Sequence, residues 1–533
     1  MKIEKIEYSK VSAISFKDLS YIELEPFLKD FYNYTPDLDS FSKAIEDRKK
    51  YPVDRALLVE VLQENYSQIK ASDIQNQNIE ALKSDNTFTI ITAHQPSLFG
   101  GPLYYILKIA SVINLCLQLK ERYPEYTFVP TFVSGGEDHD FEEVDHLHLF
   151  GKTIKWEREA KGAVGRLSIE GLEEVIDTVS EILGDKPIAV AIVDTFRKSL
   201  KDSETYSDFV FKFVNQLFGK YGLIAVNMDN VNLKNRFASL MKREILEQVS
   251  NPLIIETQNR LEEHKFKAQA FPRDINLFYL CQDGRKRIEP DGEGFAIVDT
   301  NLRFTQEGLL KELENHPDRF SPNVVMRPLY QEYCLPNLVY IGGGGEIAYW
   351  LERKSQFEAF NVFYPILIRR NSAMILNNGD LKNMSKLGFT VDDIFKDKDK
   401  LIFQFINATS EIEIKLDDQK NKIQDAFNEI AKKSAAVDPS LSKSVLAEMT
   451  KQLKNIDHME SRIKRSLKSQ QEVNVKKIEK LTEKLFPGNG LQERYDNFLP
   501  HYLAIGDSFF DILIENLDPI DRKFICLLPE SDS

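Results

Sequence analysis

Three strings hold most of the residues able to do chemistry. The first, AHQPSLFGGPLY over 93–104, sets His94 and Gln95 before Gly100 and Gly101, with Pro102 and Tyr104 behind. Glycines permit close backbone approach, proline suits a first helical turn, and a helix N-terminus offers free N–H groups and a positive dipole end. A phosphate or carboxylate is therefore expected at Gly100 and Gly101, with His94 and Gln95 donating hydrogen bonds to it. A plain tight turn is the competing reading, and the spacing is neither a GxGxxG loop nor a P-loop. The second string, GGEDHDFEEVDHLH over 135–148, crowds Glu137, Asp138, Asp140, Glu142, Glu143 and Asp145 with His139, His146 and His148. Crowded carboxylates raise one another's pKa, which suits acid–base work. His94, Glu137, Asp138 and His139 are the catalytic candidates. No spacing is diagnostic of a metal site and none is assigned; a solvated acidic loop is the bland alternative. The third string, over 327–354, runs RPLYQEYCLPNLVYIGGGGEIAYWLERK. Consecutive glycines cost conformational entropy unless the backbone must approach something closely. Its binding candidates are Arg327, Gln331, Gly343, Gly344, Glu346, Tyr349 and Lys354, which join Gln95, Gly100, Gly101 and Tyr104.

Each string follows a run that reads as a strand and feeds one that reads as a helix. The strand candidates are 87–92 and 126–134, then 222–228, 337–341 and 364–368. Helix-period stretches lie between them, which predicts right-handed βαβ units and a parallel sheet. In such a sheet the carboxyl ends of the strands converge on one crevice at the switch point of strand order. The three strings should meet there, with Asn227 and Asp229 nearby and Asp229 also serving as a helix cap.

The predicted fold is α/β, a Rossmann-like doubly wound sheet with two insertions and a C-terminal α-helical coiled-coil region. Residues 86–150, 221–249 and 326–375 form the core, and 1–85 form a mostly helical segment packed on it. The insertions are 151–220, with a β-rich start and two helical runs, and 250–325, with turns at 283–284 and 291–292. Residues 376–533 are the helical region and its tail. There, 416–433 and 442–485 read as two long helices around Pro439. Leu446, Leu453, Ile456, Ile463, Leu467 and Leu481 form an imperfect stripe that predicts an antiparallel hairpin.

Composition bounds the rest. The 533 residues carry 69 Lys+Arg against 83 Asp+Glu, a net charge of −14, which argues against a nucleic-acid binder. Hydrophobic residues at 42% suffice for real cores. Cys116, Cys281, Cys334 and Cys526 form no CxxC pair. The start lacks an apolar signal core and the greasiest stretch, 103–119, is broken by Lys108, so a cytoplasmic protein with no membrane span is expected.

The strings HQPSLFGGPLY, GGEDHDFEEVDH and RPLYQE…LPNLVYIGGGGEIAYW, in this order, resemble the bacillithiol biosynthesis cysteine-adding enzymes, the BshC family. The resemblance runs over most of the chain. It implies a Rossmann-type core with two connecting insertions and a coiled coil that forms a homodimer. It also implies a ligase that joins the carboxyl of cysteine to the amine of glucosaminyl-malate, with ATP or another nucleotide suspected as activator and no metal. The family's fold is similar to class I aminoacyl-tRNA synthetases. Many members carry Gln-Gln where this chain has His94 and Gln95. The second histidine of the synthetase HIGH signature is missing, and NMSKL at 383–387 differs at both ends from the lysine-bearing one. A nucleotidyltransferase-like enzyme acting on another carboxylate, and a non-catalytic dimeric coiled-coil scaffold, stay open as alternatives.

Overall fold

Five runs rich in β-branched and aromatic residues form the central sheet: β1 (Thr87–His94), β2 (Thr127–Ser134), β3 (Ile224–Asn227), β4 (Asn337–Gly342) and β5 (Ile366–Arg369). The computed structural model describes residues 1–282, 284–409 and 416–530. All neighbouring strands are parallel, in the order β5-β4-β1-β2-β3. The chain steps outward from β1 to β3, then crosses to β4 and β5 on the other side, so the switch point lies between β1 and β4. In register, His94 faces Ser134, Ser134 faces Asn227 and Gly342 faces Arg369. Tyr340 pairs with Ile91, so three further residues bring Gly343 level with His94. The carboxyl ends therefore make a single rim.

The helix Tyr104–Arg122 connects β1 to β2 and buries an apolar face that includes Ile106, Leu107, Ile109 and Ile113. Lys120 and Arg122 sit in its last turn, where the helix dipole favours cations. Between β2 and β3 come the hairpin His146–Leu149 with Lys152–Lys155 and three helices, Leu172–Leu183, Pro187–Leu200 and Tyr206–Phe218, one more than expected. Between β3 and β4, helices Val231–Glu247 and Ser250–Glu262 lead into a five-stranded antiparallel sheet. Gly292 turns there at φ +63°; Asp283 of the other expected turn lies outside the described residues. Beyond β4 the single expected helix is two, Gly344–Leu351 and Lys354–Phe360.

Both ends depart from expectation. Lys2–Ile6 is a strand, antiparallel to Phe524–Leu528, which in turn runs parallel to Ala373–Ile375. Residues 1–9, 14–375 and 492 onward thus form one unit, whereas composition grouped everything after 376 together. The run FICLL at 524–528 is wholly buried, but one short apolar run between charged flanks does not reveal its partner strand.

Residues 10–13 and 376–491 form the second unit. Its helices Asp417–Ala435 and Pro439–Gln470 make an antiparallel hairpin. Lys420 Nζ lies 2.7 Å from Asp457 and 2.8 Å from Glu460. The second predicted helix breaks at Gln471, and Glu472–Leu485 continues it. Leu446 and Ile463 of the stripe are exposed, whereas Leu481 is buried. Among the described residues no helix is long and apolar enough to cross a membrane.

Candidate active site

A cavity of about 790 Å³ opens on the rim of the central sheet. Its walls come from all three strings. His94, Gln95 and Tyr104 come from the first, Gly135, Asp138, Glu143 and His146 from the second, and Arg327, Gln331, Gly343, Gly345, Glu346 and Tyr349 from the third. Three sequence-distant loops meet because their strands end at one level of a parallel sheet.

His94 ends β1. Its Nδ1 lies 2.9 Å from the Gln95 carbonyl and its Nε2 2.9 Å from the Tyr104 hydroxyl. The carbonyl only accepts, so Nδ1 donates and Tyr104 O–H donates to Nε2. Burial, then the neighbouring Lys108 charge, push the imidazole down to about 4. His94 is a neutral, fully bonded ring at neutral pH, suited to orienting Tyr104 rather than collecting protons.

Asp138 receives Gln95 Nε2 at 2.8 Å, Arg327 Nη2 at 3.3 Å and Arg285 Nη1 at 3.3 Å. Burial alone would raise its carboxyl, but Arg327, Arg285 and the hydrogen bonds outweigh it and hold it at about 2. It is a fixed anion that positions Arg327. Glu137, one residue earlier, leaves the cavity wall altogether. It is buried against Lys234 Nζ at 2.6 Å, and that lysine also holds Asp229 at 2.9 Å. Asp229 in turn pairs with Arg166 at 2.6 Å, so Glu137 helps tie the first insertion to β3. Both lie in the turn after β2, where Lys234 takes Glu137, and Arg327 with Arg285 takes Asp138.

Four further placements depart from expectation. His139 does not line the cavity; its side chain is 45% exposed, beside Asp138 and Arg285. Lys354 also lies away from it, donating to the Asp30 carbonyl at 2.8 Å. Gly100 and Gly101 make a buried turn filled by the protein itself. Asn497 Nδ2 donates to the Gly101 carbonyl at 2.7 Å, and Leu103 N–H donates to the Asp496 carbonyl at 2.7 Å. The N–H groups of Gly100, Gly101 and Leu103 donate to the Ser97, Leu98 and Asp496 carbonyls, so they do not serve an anion in the expected way. Gly344 faces Asp18, whose carboxylate would lie 2.2 Å from an added Cβ. Of the four consecutive glycines, Gly343 and Gly345 face the cavity.

Glu346 fastens this glycine turn. It accepts from Gly343 N–H at 2.8 Å, from Tyr340 O–H at 2.7 Å and from Lys108 Nζ at 2.8 Å. Burial opposes its charge, but Lys108 and these donors hold the carboxyl below its usual range. Lys108 is fully buried and also donates to the Ala93 carbonyl at 2.5 Å. The pair bridges the switch point between β1 and β4. Gln331 donates to Glu332 at 2.8 Å, whose carboxyl burial pushes up to about 7.

Reading the strings missed several site residues. Lys108 was visible as the one charge inside an apolar helix. Arg370 follows β5 at the same strand-end station as the others. It donates to Glu493 at 2.7 Å, lies 5.4 Å from the Tyr104 ring, and has a buried Nε that no described residue bonds. Arg285, from the second insertion, and Arg494, from the returning tail, carried no local signal.

The family described as Bacillithiol biosynthesis BshC, N-terminal Rossmann-like domain, matches residues 1–371. Its partner description, the C-terminal coiled-coil domain, matches 373–528. Curated relatives carry the provisional name cysteine ligase BshC. One from Christiangramia forsetii is 40% identical, covering 97% of this chain and 98% of its own. One from Flavobacterium johnsoniae is 38% identical over 98% and 99%, and one from Bacillus cytotoxicus 29% over 92% and 94%. A solved structure from Campylobacter jejuni, titled provisionally as an arginyl-tRNA synthetase, covers 84% of this chain and 95% of its own at 10% identity. Its TM-score of 0.21 is too low to bear on fold or chemistry. Matched over both domains and nearly its full length, this chain belongs to the BshC family of bacillithiol biosynthesis.

Proposed function

We propose that the protein is a ligase that forms an amide between the carboxyl of cysteine and the amine of glucosaminyl-malate. The observation that carries this reading is the cavity's charge pattern. Arg327, Arg370 and Arg494 line it, and of its three carboxylates Asp138 and Glu346 are bound to cations, leaving Glu143 against the three arginines. A cavity with cationic walls suits anionic substrates, and the malyl group brings carboxylates of its own. The names of the relatives supply the cysteine.

A free carboxylate is a poor acyl donor because its oxygen leaves badly. A nucleotide would supply the phosphoryl group that makes this oxygen a leaving group. Arg370, with its unbonded Nε, and Arg494 fit such a phosphate. The chain's own residues then position the reactants. Asp138 and Gln95 hold the Arg327 edge, His94 orients the Tyr104 hydroxyl, and the Lys108–Glu346 pair keeps the Gly343 turn open to substrate. The exposed Leu446 and Ile463 of the hairpin support a homodimer made by a second copy.

The test is incubation of the purified chain with cysteine, glucosaminyl-malate and ATP, following the amide by mass spectrometry. Amide with AMP points to adenylation, and amide with ADP to an acyl phosphate. No amide with any nucleoside triphosphate defeats the reading and leaves the scaffold alternative.

A further inference from the structure

The cavity wall contains a further side chain fitted for proton transfer. His146 opens the strand His146–Leu149 and lines the cavity. Its Nδ1 lies 2.8 Å from Asp145 Oδ1. Asp145 is 2% exposed and its other oxygen takes Lys155 Nζ at 3.0 Å. A buried carboxylate on Nδ1 fixes the ring's tautomer and orientation, and it stabilises the imidazolium once a proton arrives. Nε2 is left as the ring nitrogen that no described residue bonds. The geometry removes the other candidates. His94 has both ring nitrogens engaged, Asp138 lies between two arginines, Glu137 is paired with Lys234 away from the cavity, and His139 is off its wall.

We infer that His146, held by Asp145, is the general base that takes the proton from the attacking amine. This rests on the ligase reading above. In the step, the amine lone pair forms the C–N bond to the carboxyl carbon of a cysteinyl donor activated as an acyl–phosphoryl anhydride. The C–O bond to the phosphoryl oxygen breaks, the phosphoryl group leaves with that electron pair, and the ammonium proton passes to Nε2. The charged and titratable groups around the ring are Asp145, Lys155 across the hairpin, His148 at 5.3 Å between ring centres, and Glu143 and Arg494 on the same wall. His148 is itself stacked on Tyr495 at 3.8 Å, which fixes it beside His146.

The experiment compares the full-length wild type with His146→Gln, whose amide can still donate to Asp145. Amide formation should fall about 100-fold or more. Hydroxylamine is an α-nucleophile strong enough to attack the anhydride without a positioned base, its adduct losing the proton to water, so it should still trap activated cysteine as the hydroxamate within about 3-fold of wild type. Calorimetry should show unchanged affinity for glucosaminyl-malate. His146→Ala should regain rate, saturably, with added imidazole, which a purely structural role would not allow. Amide formation by His146→Gln within about 3-fold of wild type overturns the inference and leaves the ligase reading standing. Loss of amide in Glu143→Gln but not in His146→Gln does the same. A wild type that yields neither amide nor hydroxamate overturns both.

Discussion

The glycine turn after β1 and the glycine turn after β4 occupy equivalent places, each leading from a strand's carboxyl end into a helix. In the first, Phe99, Gly100 and Gly101 all have positive φ, at +46°, +79° and +53°. A Cβ on Gly100 would touch Phe498, Ile106 and Phe213, and Asn497 bonds the carbonyls of Phe99 and Gly101. In the second, Gly345 has open space within 4 Å where a side chain would go, and it faces the cavity with Gly343. Both turns have the composition of a ligand platform. The difference is that residues 496–498 return across the first, whereas in the second Asp18 covers Gly344 and leaves Gly345 open. Glycine composition reports backbone freedom, and what fills the space it frees is decided elsewhere.

Five substitutions press on this contrast. The largest effect should come from Glu346→Ala, which leaves Lys108 buried without its partner and releases the Gly343 N–H. A loss of about 3–5 kcal/mol of stability is expected, measured by urea unfolding. A loss under 1 kcal/mol would mean that the second turn does not depend on its clamp. Next, Arg370→Met keeps much of the bulk but removes the cation at the open turn. The kcat/KM for amide formation should drop about 100-fold, while the fold, read by circular dichroism, persists.

The glycine exchange tests the contrast directly. Gly101→Ala should lose about 1–3 kcal/mol, because only glycine adopts this backbone conformation without strain, with KM for glucosaminyl-malate unchanged. Gly345→Ala should leave stability within about 1 kcal/mol and raise that KM several-fold. The reverse pattern would make the first turn the binding platform after all. The smallest change in rate should follow His94→Gln, which keeps amide formation within about 10-fold because the ring orients rather than transfers protons. Its pH signature is separate. A histidine whose folded pKa lies near 4, below its unfolded value, contributes stability above that unfolded value and loses it as pH falls through the folded one. Thermal melts between pH 7 and pH 4 should therefore be flatter for His94→Gln than for the wild type.

Much of this was legible in the residues because it is local. Alternating strand and helix periods placed all five core strands to within a few residues. The rule that parallel strands end on one crevice is enough to bring His94, Asp138 and Gly343 together. The individual roles were less legible. Glu137 and Asp138 are chemically alike and adjacent, yet one serves a buried lysine and the other the cavity rim, because their cationic partners, Lys234 for the first and Arg285 and Arg327 for the second, come from distant parts of the chain. His139 and His146 are separated by which of them lines the cavity and has a buried aspartate behind it. Arg494 sits far along the chain from every other cavity residue, where no motif connects it.

The sequence by itself determined the five strands of the central parallel sheet and the station of the cavity, since periodicity and turn residues act over a few positions. Only the tertiary structure decided which side chains face that cavity and which glycine turn stays open. Those outcomes depend on segments hundreds of residues away, the returning 492–498 stretch and the second insertion, and on the cost of leaving any buried charge without a partner.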